Sequence, residues 1–179
     1  MKRFTVLLFA FIFMIPLCAC SKNPAPPSSS SISSALSSPY DAEIRAEYKG
    51  ITFTAKIHKI LPGYCDISFS SPQSLKDLSV SFKENCVDIS YKGIAVSLDP
   101  KEISGSAAAA LVVSALDKIT SPDGINVSLV DSALIVSGET DGDYFELRLD
   151  PKTYNLLSLN SPSKELKVEF LNFDFVKTE

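Results

Sequence analysis

The chain has 179 residues, with 17 basic against 21 acidic side chains, a net charge of −4 at pH 7, one histidine and no tryptophan. A mildly acidic chain lacks the positive surface that attracts nucleic acids or anionic membranes, so we expect neither a nucleic-acid partner nor a polybasic membrane patch.

The N-terminus has the pattern of an export signal. Met1-Lys2-Arg3 precedes an apolar run of about 14 residues that ends at Leu17. A permanent membrane span needs roughly 20 apolar residues, so this run is short for one. We therefore expect residues 1–19 to be a signal peptide that is removed on export.

The end of this segment, Leu17-Cys18-Ala19-Cys20, resembles the lipobox of bacterial lipoproteins. The resemblance implies that Cys20 becomes the first residue and carries diacylglycerol and an acyl chain such as palmitate. It also implies an exported protein anchored at the cell envelope, on the outer face of the plasma membrane or on an outer membrane. Two alternatives stay open: a cleaved signal without lipid, and a Cys18–Cys20 metal or redox pair, which would need ligands that are missing before His58.

Residues 21–39 are rich in serine and proline, a composition that buries too little apolar surface to order itself. We predict that they form a disordered tether with a reach of about 60 Å when stretched. Residues 40–179 then form a single domain.

The first half of the domain predicts short antiparallel strands. Apolar and polar residues alternate with period two, which is typical of strands with one wet face. The alternating segments are 42–48, 51–57, 65–69, 78–82, 87–91 and 94–98. Lys49-Gly50 and Lys92-Gly93 are turn sequences, and both belong to a YKGI stretch whose recurrence shared turn chemistry explains.

A helical segment follows. Asp99-Pro100-Lys101-Glu102 is a helix-start pattern, with Gly105 as a potential interruption. Residues 106–119 are rich in alanine and apolar on all sides, which predicts one buried helix that is too short to span a membrane.

Strands then resume at 125–129, 134–136, 145–149, 157–159 and 166–170, with a hairpin signal at Asp141-Gly142. Leu171, Phe173 and Phe175 reverse the alternation. Either a bulge lies near Asn172 or the last strand is covered on both faces.

The predicted fold is mainly β, of the α+β class: a strongly curved antiparallel sheet, or half-barrel, of about eleven strands around one buried helix. The segment LDPKTYNLLSL at 149–159 resembles a strand–turn–strand of the bacterial lipoprotein-carrier superfamily, which has this half-barrel. Those carriers usually begin with a helix, whereas residues 40–60 predict a hairpin.

The resemblance implies a protein that binds a lipid or another hydrophobic ligand inside the curved sheet. The side chains expected to line such a site are Phe53, Phe69, Phe82, Leu111 and Phe145. Related envelope lipoproteins of spore-forming bacteria instead partner cell-wall enzymes. On that alternative the chain is a tethered interaction protein for an envelope protein such as a wall hydrolase, and we expect exposed apolar residues on the 171–175 strand to bind it.

No pattern of catalytic residues is present, so we predict a protein that is not an enzyme and needs no cofactor or metal. His58 follows Ile57 and should face solvent by alternation. No G-x-S-x-G, H-E-x-x-H or P-loop occurs. Asp141-Gly142-Asp143 lacks the ligand spacing of a calcium loop and is explained as a hairpin turn.

Cys65 and Cys86 are the only cysteines beyond the lipobox. Alternation places them on opposite faces of the sheet, on strands two apart if the strands form a meander. We predict free thiols, with a disulfide as the open alternative.

Overall fold

A computed structural model describes residues 27–103 and 107–176 of the chain. The signal, Cys20 and the start of the tether lie outside these residues. Within the described residues, the helices are α1 (Ser29–Leu36) and α2 (Ala108–Lys118), and short 3-10 turns cover Pro100–Glu102 and Pro162–Lys164. The strands are β1 (Tyr40–Tyr48), β2 (Ile51–Leu61), β3 (Tyr64–Ser71), β4 (Leu78–Phe82), β5 (Val87–Tyr91), β6 (Ile94–Leu98), β7 (Ile125–Val130), β8 (Ala133–Thr140), β9 (Asp143–Leu149), β10 (Leu156–Ser161) and β11 (Leu166–Phe175).

All eleven strands form one antiparallel sheet in the order β6-β5-β4-β3-β2-β1-β11-β10-β9-β8-β7. The two halves of the chain are meanders joined where β1 pairs with β11, from Tyr40 beside Phe175 to Tyr48 beside Leu166. The sheet is open, so β6 and β7 are its edges. The predicted fold class, about eleven antiparallel strands in a curved, mainly β domain, is confirmed.

The sheet curves around α2. Lys59 of β2 reaches Asp117 of α2, and α2 also contacts β8. In a flat sheet β2 and β8 would lie about 24 Å apart, five strand spacings. A helix is only about 10 Å wide, so both strands can meet it only if the sheet bends around it. The concave face is therefore the helix-covered face.

The core lies between this concave face and the two helices. Alternate residues of each strand point inward, as in β1, where Tyr40, Ala42, Ile44 and Ala46 are buried. They join buried residues of both helices in one hydrophobic cluster. The alternation seen in the sequence is thus the inside–outside pattern of the sheet.

The reversal of alternation near the C-terminus is a β-bulge. Glu43 pairs with Asn172, but the next residue, Ile44, pairs with Phe170, so Leu171 is the extra residue. The insertion returns Phe173 to the buried face. Of the two predicted alternatives, the bulge near Asn172 is the one that the structure has.

Residues 29–36 differ from the predicted disordered tether, because they form α1. Ile32 and Leu36 lie one turn apart and are both buried in the core. Ser28 caps the helix by accepting a hydrogen bond from the Ser31 amide, and the buried Ser33 hydroxyl donates to the Ile119 carbonyl. Packing against the sheet supplies the apolar burial that composition alone does not reveal. Helix α1 therefore precedes the first strand of the sheet.

The helix-start pattern at Asp99 marks a separate 3-10 turn. The Asp99 side chain accepts a hydrogen bond from the Lys101 amide, and the turn ends at Glu102. The predicted buried helix is present as α2, beginning at Ala108, and α1 makes a second helix where one was expected. Among the described residues, no helix is both long and apolar enough to cross a membrane.

Residues 171–175 are not the exposed edge that the partner alternative assumes. They belong to β11, which lies between β1 and β10 near the centre of the sheet; Phe173 is buried, although Leu171 is exposed as the partner alternative expects. Because the N- and C-terminal strands pair with each other, the edges come from the middle of the chain. Any unpaired strand surface must be sought at β6 or β7.

Candidate binding surface

The concave face loses its cover toward β6. Val80 and Val87 are buried, but Val96, which pairs with Ile89 in the row of Val80, is 51% exposed. Ile94 at the next inward-facing position is 73% exposed. The side chains of Ile94 and Val96 point to the same side of the sheet as the core residues. They therefore form an apolar surface that extends the core into solvent. We call the concave face of β4, β5 and β6 the β6 surface.

A tight hairpin positions this surface. Lys92 and Gly93 have φ values of 50° and 83° and join β5 to β6 with no register shift, as a two-residue type I′ turn does. The Lys92 Nζ atom lies 5.1 Å from the Tyr91 ring centre, and the Tyr91 hydroxyl donates to the Ser74 carbonyl at 3.2 Å. The turn thus fixes β6 against β5, and the β3–β4 loop holds the end of β5.

The same turn occurs in the other YKGI stretch. Lys49 and Gly50 have φ values of 48° and 77°, and the Lys49 Nζ atom lies 5.2 Å from the Tyr48 ring centre. Ile51 is exposed there, as Ile94 is in the second copy. Shared turn chemistry therefore accounts for the recurrence.

The residues predicted to line a ligand site fall into two groups. Phe53, Leu111 and Phe145 are buried in the core. Phe69 and Phe82 are partly buried, and the Phe69 ring packs 5.2 Å from that of Phe53, centre to centre. The structure brings all five to the concave side, and their role in binding a ligand stays a prediction.

A small cavity adjoins one of these residues. It has a volume of about 160 Å³ and lies where the start of α2 meets the sheet. Its lining comes from distant parts of the chain: Phe82, Val87, Pro100, Ile103, Ala110, Ser114 and Asp141. The cavity therefore marks the border between the packed core and the β6 surface.

A polar contact fixes the opposite end of α2. Lys59 points inward from β2, its side chain is 1% exposed, and its ammonium pairs with the carboxylate of Asp117. The same carboxylate accepts a hydrogen bond from the Gly63 amide at 3.1 Å. Sequence reasoning missed this pair. The signal was present, because Lys59 continues the buried alternation of Phe53, Ala55 and Ile57.

Two ionisable groups near this pair are kept neutral. Burial raises the pKa of the Cys65 thiol to about 12, and it raises the pKa of the Tyr40 hydroxyl well above its ordinary value. Cys65 and Cys86 are both free thiols, as predicted. A neutral buried thiol is a poor nucleophile, so Cys65 acts as a core residue.

The single histidine lies on the convex face. Its Nδ1 atom is 2.6 Å from a carboxylate oxygen of Asp41, and its side chain is 49% exposed, which confirms the prediction of a solvent-facing residue. The pair lines a groove of about 400 Å³ that also includes Asp66 and Asn172. In the part of the chain that the structure describes, no three His, Cys, Asp or Glu residues are grouped to hold a metal ion.

The acidic stretch at 141–143 is a hairpin tip. Asp141 and Gly142 both have positive φ and connect β8 to β9. Asp143 accepts hydrogen bonds from the Lys164 ammonium at 2.8 Å and the Ser163 hydroxyl at 2.9 Å, and the bond from Lys164 is the main cause of its lowered pKa. Its carboxylate is thus satisfied by neighbouring side chains.

No protein-family model matches the chain, and no curated protein sequence matches it. Among solved structures, an uncharacterized conserved protein from Thermus thermophilus has 13% identity and a TM-score of 0.52, covering 83% of this chain and 85% of its own. This likeness shows a shared fold.

Two further structures align at lower scores. The Pseudomonas aeruginosa MucA/MucB complex has 13% identity and a TM-score of 0.49, covering 84% of this chain and 58% of that one. A LolA superfamily protein from Nitrosomonas europaea has 7% identity and a TM-score of 0.42, covering 86% of this chain and 96% of its own. At these scores neither likeness bears on activity.

Proposed function

We propose that this chain is a non-enzymatic lipoprotein of the cell envelope that binds another envelope protein through its β6 surface. The observation that carries the proposal is the exposure of Ile94 and Val96 on the same face as the core. Apolar side chains that extend a core into solvent mark interaction sites. A wall hydrolase is one class of partner that suits a protein tethered near the membrane.

The anchor in this proposal is Cys20, which carries diacylglycerol and an acyl chain such as palmitate. Because α1 begins at Ser29, the chain between Cys20 and the folded domain is eight residues long. Eight residues reach about 28 Å at most, roughly half the reach of the predicted tether. The domain would therefore stay close to the membrane and meet partners at its surface.

A second candidate is a carrier of a lipid or other hydrophobic ligand. The cavity beside Phe82 favours it, because its walls join the core to the β6 surface. Ligand sites usually enclose about 300–1,000 Å³, so a volume of about 160 Å³ is small for an acyl chain. Ligand binding would require α2 to move away from β4 and β5, and for this reason we favour the partner.

Crosslinking in living cells tests the proposal. A photo-crosslinking amino acid at Val96 would sample the β6 surface, and the same group at Leu157 would sample the convex face at similar exposure. We expect a protein adduct from position 96 and little from position 157. Equal adducts at both positions, or none at 96 alongside saturable binding of a fluorescent fatty acid, would overturn the partner proposal.

The anchor is tested separately by two cysteine substitutions. Cys20→Ala should release the protein from membranes or leave it as an unprocessed precursor. Cys18→Ala should leave it anchored, because Cys18 departs with the signal. Retention of both variants with processing intact would contradict lipidation at Cys20.

A further inference from the structure

Strand β6 has an unpaired backbone edge. Among the described residues it pairs only with β5, as the last strand of the sheet. The two-residue turn makes Tyr91 and Ile94 a hydrogen-bonded pair, and in an antiparallel ladder such pairs alternate with non-bonded ones. Val96 and Leu98 therefore bond to β5 as well, while the amides and carbonyls of Ala95 and Ser97 point away from it.

Apart from its short length of five residues, β6 lacks the sequence features that usually prevent strand pairing. Proteins blunt edge strands with charged residues, proline or bulges. Residues 94–98 read IAVSL, with no charge and no proline, and the register with β5 is unbroken. An unprotected edge beside an exposed apolar face is the arrangement that accepts an additional strand.

We propose that β6 binds an extended segment of a partner protein, which adds to the sheet as a twelfth strand. The inference rests on the proposed partner-binding function and names the chemistry of the partner. Main-chain hydrogen bonds to Ala95 and Ser97 hold the segment, and its alternate apolar side chains extend the face formed by Ile94 and Val96.

The outward backbone groups of β6 favour a peptide segment over a lipid or a second copy of the chain. A lipid chain offers no donors or acceptors for the four free groups of Ala95 and Ser97, whereas a peptide backbone offers both. Pairing of β6 with β6 of a second copy would join five residues of each subunit. A stable dimer interface contains about 20–30 residues of each subunit. An extended peptide is instead held by main-chain hydrogen bonds and by its alternate side chains.

The charges around the edge favour an uncharged strand. On the convex face, Asp88 pairs with Lys83 at 2.5 Å and accepts a hydrogen bond from the Ser97 hydroxyl. Its carboxylate is therefore satisfied within the molecule and requires no basic side chain from the partner. The other convex-facing residue of β6, Ala95, is small and leaves room for varied side chains.

A defined peptide tests the inference. The probe is a nine-residue peptide of alternating valine and threonine with lysine at each end, added to residues 20–179 carrying Cys20→Ser, which keeps the whole described fold. At saturation we expect amide exchange at Ala95 and Ser97 to slow about tenfold or more, with smaller changes at Ile94 and Val96, which already bond to β5. The same peptide N-methylated throughout should not bind.

Matched variants locate the contact. Ala95→Pro with Ser97→Pro removes the two outward amides and leaves the bonds to β5, because proline is tolerated where an edge amide faces solvent. Loss of two hydrogen bonds should weaken peptide binding about tenfold to a hundredfold. Ala95→Thr with Ser97→Thr retains both amides and should bind within about threefold of the parent. Exchange at Val96 and Leu98 verifies that the β5–β6 ladder persists in both variants.

Several results would overturn the inference: equal binding of the N-methylated peptide, protection at β7 in place of β6, or no protection at all. A concentration-dependent dimer that the proline pair abolishes would assign the edge to a second copy and would also overturn it. A protein crosslink from position 96 without peptide protection would leave the proposed function standing and remove only the added strand.

Discussion

The two edge strands of the sheet have similar sequences but differ in how far other elements cover them. Both edge strands are short and uncharged, IAVSL in β6 and INVSLV in β7. At the β7 end, α1 contacts the strand and Ile125 and Val127 are half-buried. At the β6 end, the inward-facing Ile94 is 73% exposed. The helix before the first strand thus covers part of the core at the β7 edge, where the inward-facing Leu129 is 37% exposed, and Ile94 at the other edge is about twice as exposed.

The largest expected effect comes from a substitution in α1, the helix that covers the β7 end of the sheet. Ile32 is fully buried, so Ile32→Ala should lower the free energy of unfolding by about 2–5 kcal/mol. The matched change Ile94→Ala at the β6 surface should cost no more than about 0.5 kcal/mol. Urea unfolding of the two variants provides the measurement. Similar losses from both would mean that α1 does not cover the core.

The next effect concerns the pair that holds α2. Asp117→Ala leaves the buried Lys59 ammonium without its partner. Breaking a fully buried pair costs about 3–5 kcal/mol, and because Asp117 is partly exposed we expect about 2 kcal/mol. Asp88→Ala, which removes an exposed pair at the β6 end, is the control and should change thermal stability much less. The reverse order would refute the structural role of Lys59.

A smaller and local effect is expected at the β6 hairpin. Gly93 has a φ of 83°, and no heavy atom lies within 4 Å of the place that a Cβ would occupy, so Gly93→Ala adds backbone strain without a clash. The strain should cost about 1 kcal/mol. Gly50→Ala in the equivalent turn is the matched control. Amide exchange should become faster along β6 in Gly93→Ala and not in Gly50→Ala. Faster exchange throughout the sheet would contradict the prediction that the effect is confined to the β6 edge.

The smallest effect is chemical. Cys86 is partly exposed and should react with iodoacetamide in the folded protein, whereas Cys65 should react only on unfolding. With its pKa raised by burial to about 12, Cys65 also contributes stability below pH 9 that is lost as the pH rises toward 12. Mass spectrometry after alkylation checks both thiols. Modification of Cys65 at the rate of Cys86 in folded protein would contradict its burial.

The sequence predicts the strands because alternation records which side of a sheet is buried. It also predicts the turn at Lys92-Gly93 and offers the bulge near Asn172 as one of two alternatives, since both follow from local rules. It does not predict α1, because Ile32 and Leu36 are isolated among serines and become informative only when a core lies beside them.

The order of the strands in the sheet is the other feature that the sequence does not predict. Nothing local in residues 166–175 shows that β11 pairs with β1, and this pairing decides that the edges are β6 and β7. For the partner alternative, sequence reasoning therefore expects the binding surface on β11, whereas the apolar residues Ile94 and Val96 are exposed on β6. Lys59 illustrates the opposite case, because its inward position can be read from the alternation of β2.

The most direct test of the β6 surface is crosslinking from position 96 in cells, with and without Ile94→Lys. If the exposed apolar face makes the contact, a charge placed beside position 96 should remove most of the protein adduct while the variant remains folded and anchored. An undiminished adduct from the folded Ile94→Lys protein would contradict the account.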